Sequence, residues 1–338
     1  MIITSAPAKI ILFGEHAVNR QQLAIAAALG VRTQCQLQPC ADGRVNLRSG
    51  TQVCYTDRTA LLDFAQTINI FRKAGDYTAI RFQARDFFAP VKYVFGTFLA
   101  RYGGDGAAVE WQTEIPPGSG LGSGATASSA LTLALSLANA IRCSRAELAE
   151  LAWQGDIIAH GGIASGLDTG ASTFGGITRY TVANGPEIVP IPHAPTLVIG
   201  DTGVRANTSQ VNARVNDWLA GDSQRLAVFA RMGNVAERAL EHLGQANWQA
   251  VGALMNENQM YLRQIGVSSP ELEKLIDGAL AAGALGAKLS GAGGGGVMVA
   301  LTTPTQQTVV AEAIQGAGGR ALIVEAGVEG VQIVQNDY

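Results

Sequence analysis

The chain has 338 residues, 47% apolar and 15% charged, which gives apolar surface enough for two domains and excludes a disordered chain. A net charge of −3, with no run of lysine or arginine, excludes an electrostatic face for nucleic acid. No apolar stretch of about 18 residues runs without a polar break, so no membrane-spanning helix is expected.

The first elements are β-prone runs at 2–4 and 9–13, which Pro7 is expected to separate because proline cannot donate to a ladder. Residues 22–39 read as a buried segment passing into an alternating strand, and 44–56 as a polar hairpin. An amphipathic helix is predicted at 89–103, then a half-buried strand that Pro116 and Pro117 end. "ATASSALTLALSLANAIR" predicts a central buried helix, and Ser144 with Glu147 a capping box opening a helix to about Ile158. Residues 160–176 read as a glycine-punctuated loop, followed by strands in "GITRYTV" and "TLVIGDTGV". From about 206 to 283 the pattern is helical, with Ser269 and Pro270 marking one start. "AKLSGAGGGGVMVALT" predicts a turn feeding a strand, then come a helix near 305–316 and a last strand near 321–334. Strands first and helices later predict an α+β fold of two domains, divided within 180–196 where Pro186, Pro190 and Pro192 cluster.

Glycine makes up 41 residues, about 12% against a usual ~7%, and it gathers in clusters at 118–124, 161–176 and 291–296. The first cluster, "PPGSGLGSGATASS", runs into the predicted central helix. It lacks the lysine of a Walker loop, and its loose GxGxxA (Gly120, Gly122, Ala125) follows too much chain for a dinucleotide fold. Backbone amides of 119–124, with the Ser119 and Ser123 hydroxyls, suit phosphate at the positive end of a helix; a loop of small residues for close helix packing is the alternative. Asp156 and Asp168 are the only acids of a stretch without lysine or arginine. Such acids take a cation or metal, and Mg²⁺ held by a carboxylate, a hydroxyl and phosphate oxygens would suit them; loop-bonding or capping roles remain open. Lys9, Glu15 and His16 are three polar groups in an apolar "PAKIILFGEHAV". His160 follows Asp156 by one helical turn, but no third ligand is spaced for zinc, and His193 and His242 read as incidental. Cys35, Cys40, Cys54 and Cys143 form no CxxC pair, and the N-terminus carries no signal-peptide pattern, so a cytoplasmic setting is expected.

"PAKIILFGEHAV", "PPGSGLGSGATASS", "SGLDTGASTFGG" and "KLSGAGGGGVMVAL", in that order, resemble the GHMP kinase superfamily, most closely the mevalonate kinases. The resemblance implies a two-domain α+β fold, an ATP-binding domain at 1–185 and a C-terminal domain at 186–338, with the active site in the cleft between them. It implies ATP and Mg²⁺, and transfer of the γ-phosphate to the 5-hydroxyl of mevalonate. By the same resemblance Asp168 matches the catalytic base and Lys9 the lysine beside the reacting groups. Asp156 matches an acidic magnesium ligand, joined by Ser123. Glu15, His16 and Thr202 fall where the acceptor is held. Pro117, Gly118, Ser119, Gly120, Leu121, Gly122, Ser123, Gly124 and Ala125 match the phosphate loop, supported by Gly291, Ala292 and Gly293. A homodimer is common in the family.

Three positions depart from the pattern: Ala8 replaces a glycine, Gly124 a second serine, and "NRQQL" at 19–23 a Gly-x-Pro turn near the acceptor. Another hydroxylated acceptor, such as phosphomevalonate, a sugar or homoserine, therefore stays open beside mevalonate. A non-catalytic nucleotide-binding regulator would predict loss of Lys9, Asp156 and Asp168, and all three are present.

Overall fold

A computed structural model describes residues 1–205 and 207–337. Its strands are β1 (Ile2–Phe13), β2 (Ala24–Cys40), β3 (Arg44–Ser49), β4 (Gln52–Asp57), β5 (Gly106–Thr113), β6 (Ile177–Thr181), β7 (Gly185–Val189), β8 (Thr196–Asp201), β9 (Gly286–Ser290), β10 (Val297–Thr302), β11 (Arg320–Val324) and β12 (Gln332–Asn336). Its helices are α1 (Arg58–Ala74), α2 (Tyr77–Gln83), α3 (Ala89–Tyr102), α4 (Ser123–Ala138), α5 (Arg145–Ala159), α6 (Leu167–Phe174), α7 (Thr208–Ala220), α8 (Leu226–Gly244), α9 (Trp248–Gln264), α10 (Pro270–Ala281) and α11 (Gln307–Gly316).

The strands form two sheets. The larger runs β12-β1-β2-β5-β3-β4, with β6 also on β2 and β7 on β6; the smaller runs β11-β8-β10-β9. Helix α4 lies on β1 and β2, flanked by α3, α5 and α6, while α9, α10 and α11 cover the small sheet. Both faces of the second half of β1 are therefore covered, and residues 8–13 are all buried. Ile10, Leu12 and Phe13 of β1 share one apolar core with Leu254 and Met255 of α9 and Val297, Val299 and Leu301 of β10. That shared core joins the two sheets and fixes the loops of one against those of the other.

Four expectations change. Pro7 does not divide the first strand: β12 pairs with Ile2–Ser5, beyond which that edge of β1 has no partner strand among the described residues, and the register with β2 shifts between Pro7 and Ala8. The expected loop at 160–176 contains helix α6, whose eight residues sit between Gly166 and Gly175 as its caps. Helical propensity there is hidden by flanking glycines, and Asp168 becomes a first-turn residue. "GAKLS" before the third glycine cluster is a strand of its own, β9. The last stretch splits into β11, in the small sheet, and β12, which returns to pair with β1, so the large sheet takes β7 and β12 from beyond residue 184. The capping box at Ser144 and the hairpin at 44–57 are observed, whereas α1 and α2 had no counterpart in the sequence reading. Ala206, at the expected start of the helical region, lies outside the described residues, and that region is four helices with short connections.

Candidate active site

Lys9 stands on β1 in an otherwise apolar run and is 3% exposed, so its ammonium needs partners. Among the described residues it has two: the Asp168 carboxylate at 3.1 Å and the Gly120 carbonyl, to which it donates at 3.2 Å. The backbone agrees, since the Lys9 amide donates to the Leu121 carbonyl at 3.0 Å and ties β1 to the first glycine loop. Gly122 caps α4 with φ of 84°, and a Cβ there would sit 3.1 Å from the Lys9 side chain. Only glycine lets the start of α4 come this close to the lysine. Asp168 lies in the first turn of α6. The N-terminal ends of two helices, with their positive dipole ends, thus meet around one lysine and one half-exposed carboxylate.

Asp156 projects from α5 into the same region and is buried. Burial first, then the negative charge of Asp168, push its carboxyl up to about 6, against the milder opposing effects of His160, a Thr169 hydrogen bond and Lys9. A buried acid raised by a neighbouring acid is a place where a divalent cation fits. Ser119, buried in the glycine loop, has a side-chain oxygen with no hydrogen-bond partner among the described residues, as an acceptor or donor toward phosphate would have. Ser123 opens α4 and is exposed. Among the described residues no cluster of three His, Cys, Asp or Glu side chains could hold a metal alone. The donor set instead suits Mg²⁺, which keeps water and shares phosphate oxygens.

The turn after β1 carries Glu15 and His16. His16 has φ of 59°, in the left-handed region that a residue with a Cβ seldom adopts. Its Nε2–H donates to the Ala292 carbonyl at 2.8 Å, and burial, helped by the charge of Arg20, lowers the pKa of the ring. His16 thereby joins the first motif to the third glycine loop. Glu15, which the resemblance sets where the acceptor is held, is buried, ion-paired with the fully buried Lys288 of β9, and accepts from Asn258 Nδ2 at 3.3 Å. Gly293 packs on the Val267 carbonyl so tightly that a Cβ would fall 2.2 Å from it. The Thr202 amide and hydroxyl both donate to the Gly296 carbonyl at 2.9 Å, fastening the turn after β8 to the same loop.

Lys288 and Asn258 are the residues the sequence reading passed over. The available signal was the one that drew attention to Lys9, a single lysine in an apolar strand.

A family model of the GHMP kinases N terminal domain matches residues 90–176, and one described as GHMP kinases C terminal matches residues 237–320. The chain is 32% identical to the mevalonate kinase of Thermococcus onnurineus over 344 residues, 98% of either chain. It belongs to the GHMP kinase family. As a GHMP kinase it is an ATP-dependent small-molecule kinase, and its two-sheet α+β architecture is the family's. The crystal structure of L. major mevalonate kinase in complex with R-mevalonate superposes with a TM-score of 0.73 at 26% identity, covering 96% of each chain. Lactococcus lactis galactokinase, solved with galactose, superposes at 0.79 with 20% identity, covering 98% of this chain and 94% of that one. The shared architecture therefore does not choose the acceptor. Among the described residues no helix is long and apolar enough to cross a membrane.

Proposed function

We propose that this GHMP kinase transfers the γ-phosphoryl group of ATP to the 5-hydroxyl of mevalonate, giving 5-phosphomevalonate and ADP. The observation that carries the reading is the Lys9–Asp168 pair, 3.1 Å apart where the N-terminal ends of α4 and α6 meet. Phosphoryl transfer asks a protein for positioning and charge neutralisation more than for covalent work. Asp168 accepts the proton of the attacking hydroxyl, a contribution of roughly 10²–10⁴-fold. Lys9 stabilises the charge on the transferring oxygens, and the amides of 118–124, with Ser119, cradle the remaining phosphates. Asp156 and the Ser123 hydroxyl would hold Mg²⁺, which supplies charge neutralisation between phosphate oxygens. His16 and Thr202 border the acceptor side, and Glu15 acts from behind by fixing the His16 turn. Identity of 32% to a mevalonate kinase over 98% of the chain supports this acceptor over a sugar.

A homodimer and a cytoplasmic setting complete the proposal, and the four free cysteines accord with a reducing compartment. The test is ADP release with MgATP and, in turn, mevalonate, phosphomevalonate, galactose and homoserine, the product position being read by phosphorus NMR. Turnover confined to mevalonate, yielding the 5-phosphate, is the expected result. Turnover with another of these acceptors alone would overturn the acceptor assignment.

A further inference from the structure

The segment "NRQQL" at 19–23, directly after the first motif, is left unused by the reaction. Its second residue, Arg20, ends a short 3-10 turn and reaches the His16 turn and two helices. Nη1 donates to the His16 carbonyl at 2.9 Å and Nη2 to Asn216 Oδ1 of α7 at 3.1 Å. The guanidinium lies 4.2 Å from the centre of the Phe229 ring of α8. That ring is a fixed platform: Phe229 is buried, Trp218 meets it edge-on at 6.5 Å, and Ala17 packs into the same cluster.

We infer that Arg20 is a positioning residue for the acceptor, locking the left-handed His16 turn to helix α7. The inference rests on the reading of His16 and Thr202 as acceptor-side groups. A left-handed residue with a Cβ relaxes unless its surroundings hold it, and Arg20 grips the carbonyl of that very residue. Its other arm holds α7, the helix that begins a few residues after the Thr202 turn. One planar fork therefore sets the spacing of both acceptor-side segments, which a single ammonium does not do. Among the described residues no acid forms an ion pair with Arg20, although the guanidinium is half-buried and its burial disfavours the charge. Its contacts are a carbonyl, an amide and a ring, which orient rather than neutralise. Neither arm touches the 118–124 loop, Asp156 or Asp168, and the link toward the phosphate side runs only indirectly, through the His16–Ala292 hydrogen bond, so the larger effect falls on the acceptor.

Steady-state kinetics on Arg20→Met, Arg20→Lys and Asn216→Ala, varying mevalonate and MgATP separately, test this. Arg20→Met keeps the packing on Phe229 and loses both hydrogen bonds; it raises the KM for mevalonate about tenfold and leaves that for ATP within about twofold, as expected for lost bonds from a charged donor. Arg20→Lys recovers part of the loss. Asn216→Ala, an exposed position that folds whatever becomes of Arg20→Met, moves the mevalonate KM in the same direction by less. Equal increases in both KM values, or an unchanged mevalonate KM, overturn the inference. Should the wild type turn over a different acceptor, the acceptor reading fails by itself, and Arg20 is judged by the KM of the acceptor that is used.

Discussion

Removing Lys288 while leaving Glu15 strands a carboxylate in the interior. Both side chains are 0% exposed, and they come from opposite halves of the fold, the turn after β1 and strand β9. Breaking such a pair from one side costs about 3–5 kcal/mol, because the remaining charge is buried without its partner. The Asn258 amide, 3.3 Å from the Glu15 carboxylate, remains and softens the loss toward the lower figure. Against a typical total of about 5–15 kcal/mol, Lys288→Met should still take a large share of the stability. Replacing both partners, Glu15→Gln with Lys288→Met, leaves no charge behind and should fall within about 2 kcal/mol of wild type. The pH dependence separates this from a loss of packing. Burial raises the Glu15 carboxyl, and Lys288 is the leading cause that opposes the rise. Without Lys288 the folded carboxyl rises further, so the folded state binds the proton more tightly than the unfolded state. Stability then falls as pH rises, and the deficit of Lys288→Met shrinks on going from about pH 7.5 to about pH 5. Urea unfolding followed by tryptophan fluorescence at both pH values reads this. A deficit that does not change with pH, or a double variant as unstable as the single one, refutes the reasoning.

Asp156→Asn should make the nucleotide-free protein more stable and less active. With the folded carboxyl near 6 and an unfolded value near ~3.9, the carboxylate costs up to about 3 kcal/mol, a penalty that grows as pH rises between those values. The melting temperature of the variant should exceed that of wild type at about pH 7.5 and match it at about pH 4; no gain at the higher pH would show that the charge is already satisfied. Gln21 is exposed and sits at φ of 63°, so Gln21→Gly should relieve about 1 kcal/mol of strain and raise the melting temperature by a few degrees. Gly293→Ala puts a Cβ against the Val267 carbonyl at a φ of 82°, and a loss of at least ~2 kcal/mol together with a higher KM for ATP is expected, checked by calorimetry and kinetics.

Most of the strands and long helices follow from periodicity and caps that lie within single segments, as the Ser144 box and the Pro270 start show. What could not be read locally is what distant segments do to each other. Pro7 is tolerated because β12 stops short of it, which depends on a strand more than 300 residues away. Helix α6 is short and glycine-flanked, and it is stable only through its packing on β1, α4 and α5. Within the site, the resemblance identified Lys9, Asp168 and the glycine loops, and the geometry brings them together. Glu15 was named by the same motif, but the lysine that claims it lies on another sheet, so its burial was invisible in the sequence. Gly124, one of the three departures, has no atom of the described residues within 4 Å of its notional Cβ, so a side chain would fit there.

The role of the Lys9–Asp168 pair is tested most directly by Asp168→Asn, with kcat and ATP affinity measured on the same preparation. The account predicts that turnover with mevalonate falls by at least ~10²-fold while ATP binds within a few-fold of wild type. Turnover within a few-fold of wild type would contradict it, because the carboxylate held beside Lys9 would then not be the group that takes the proton.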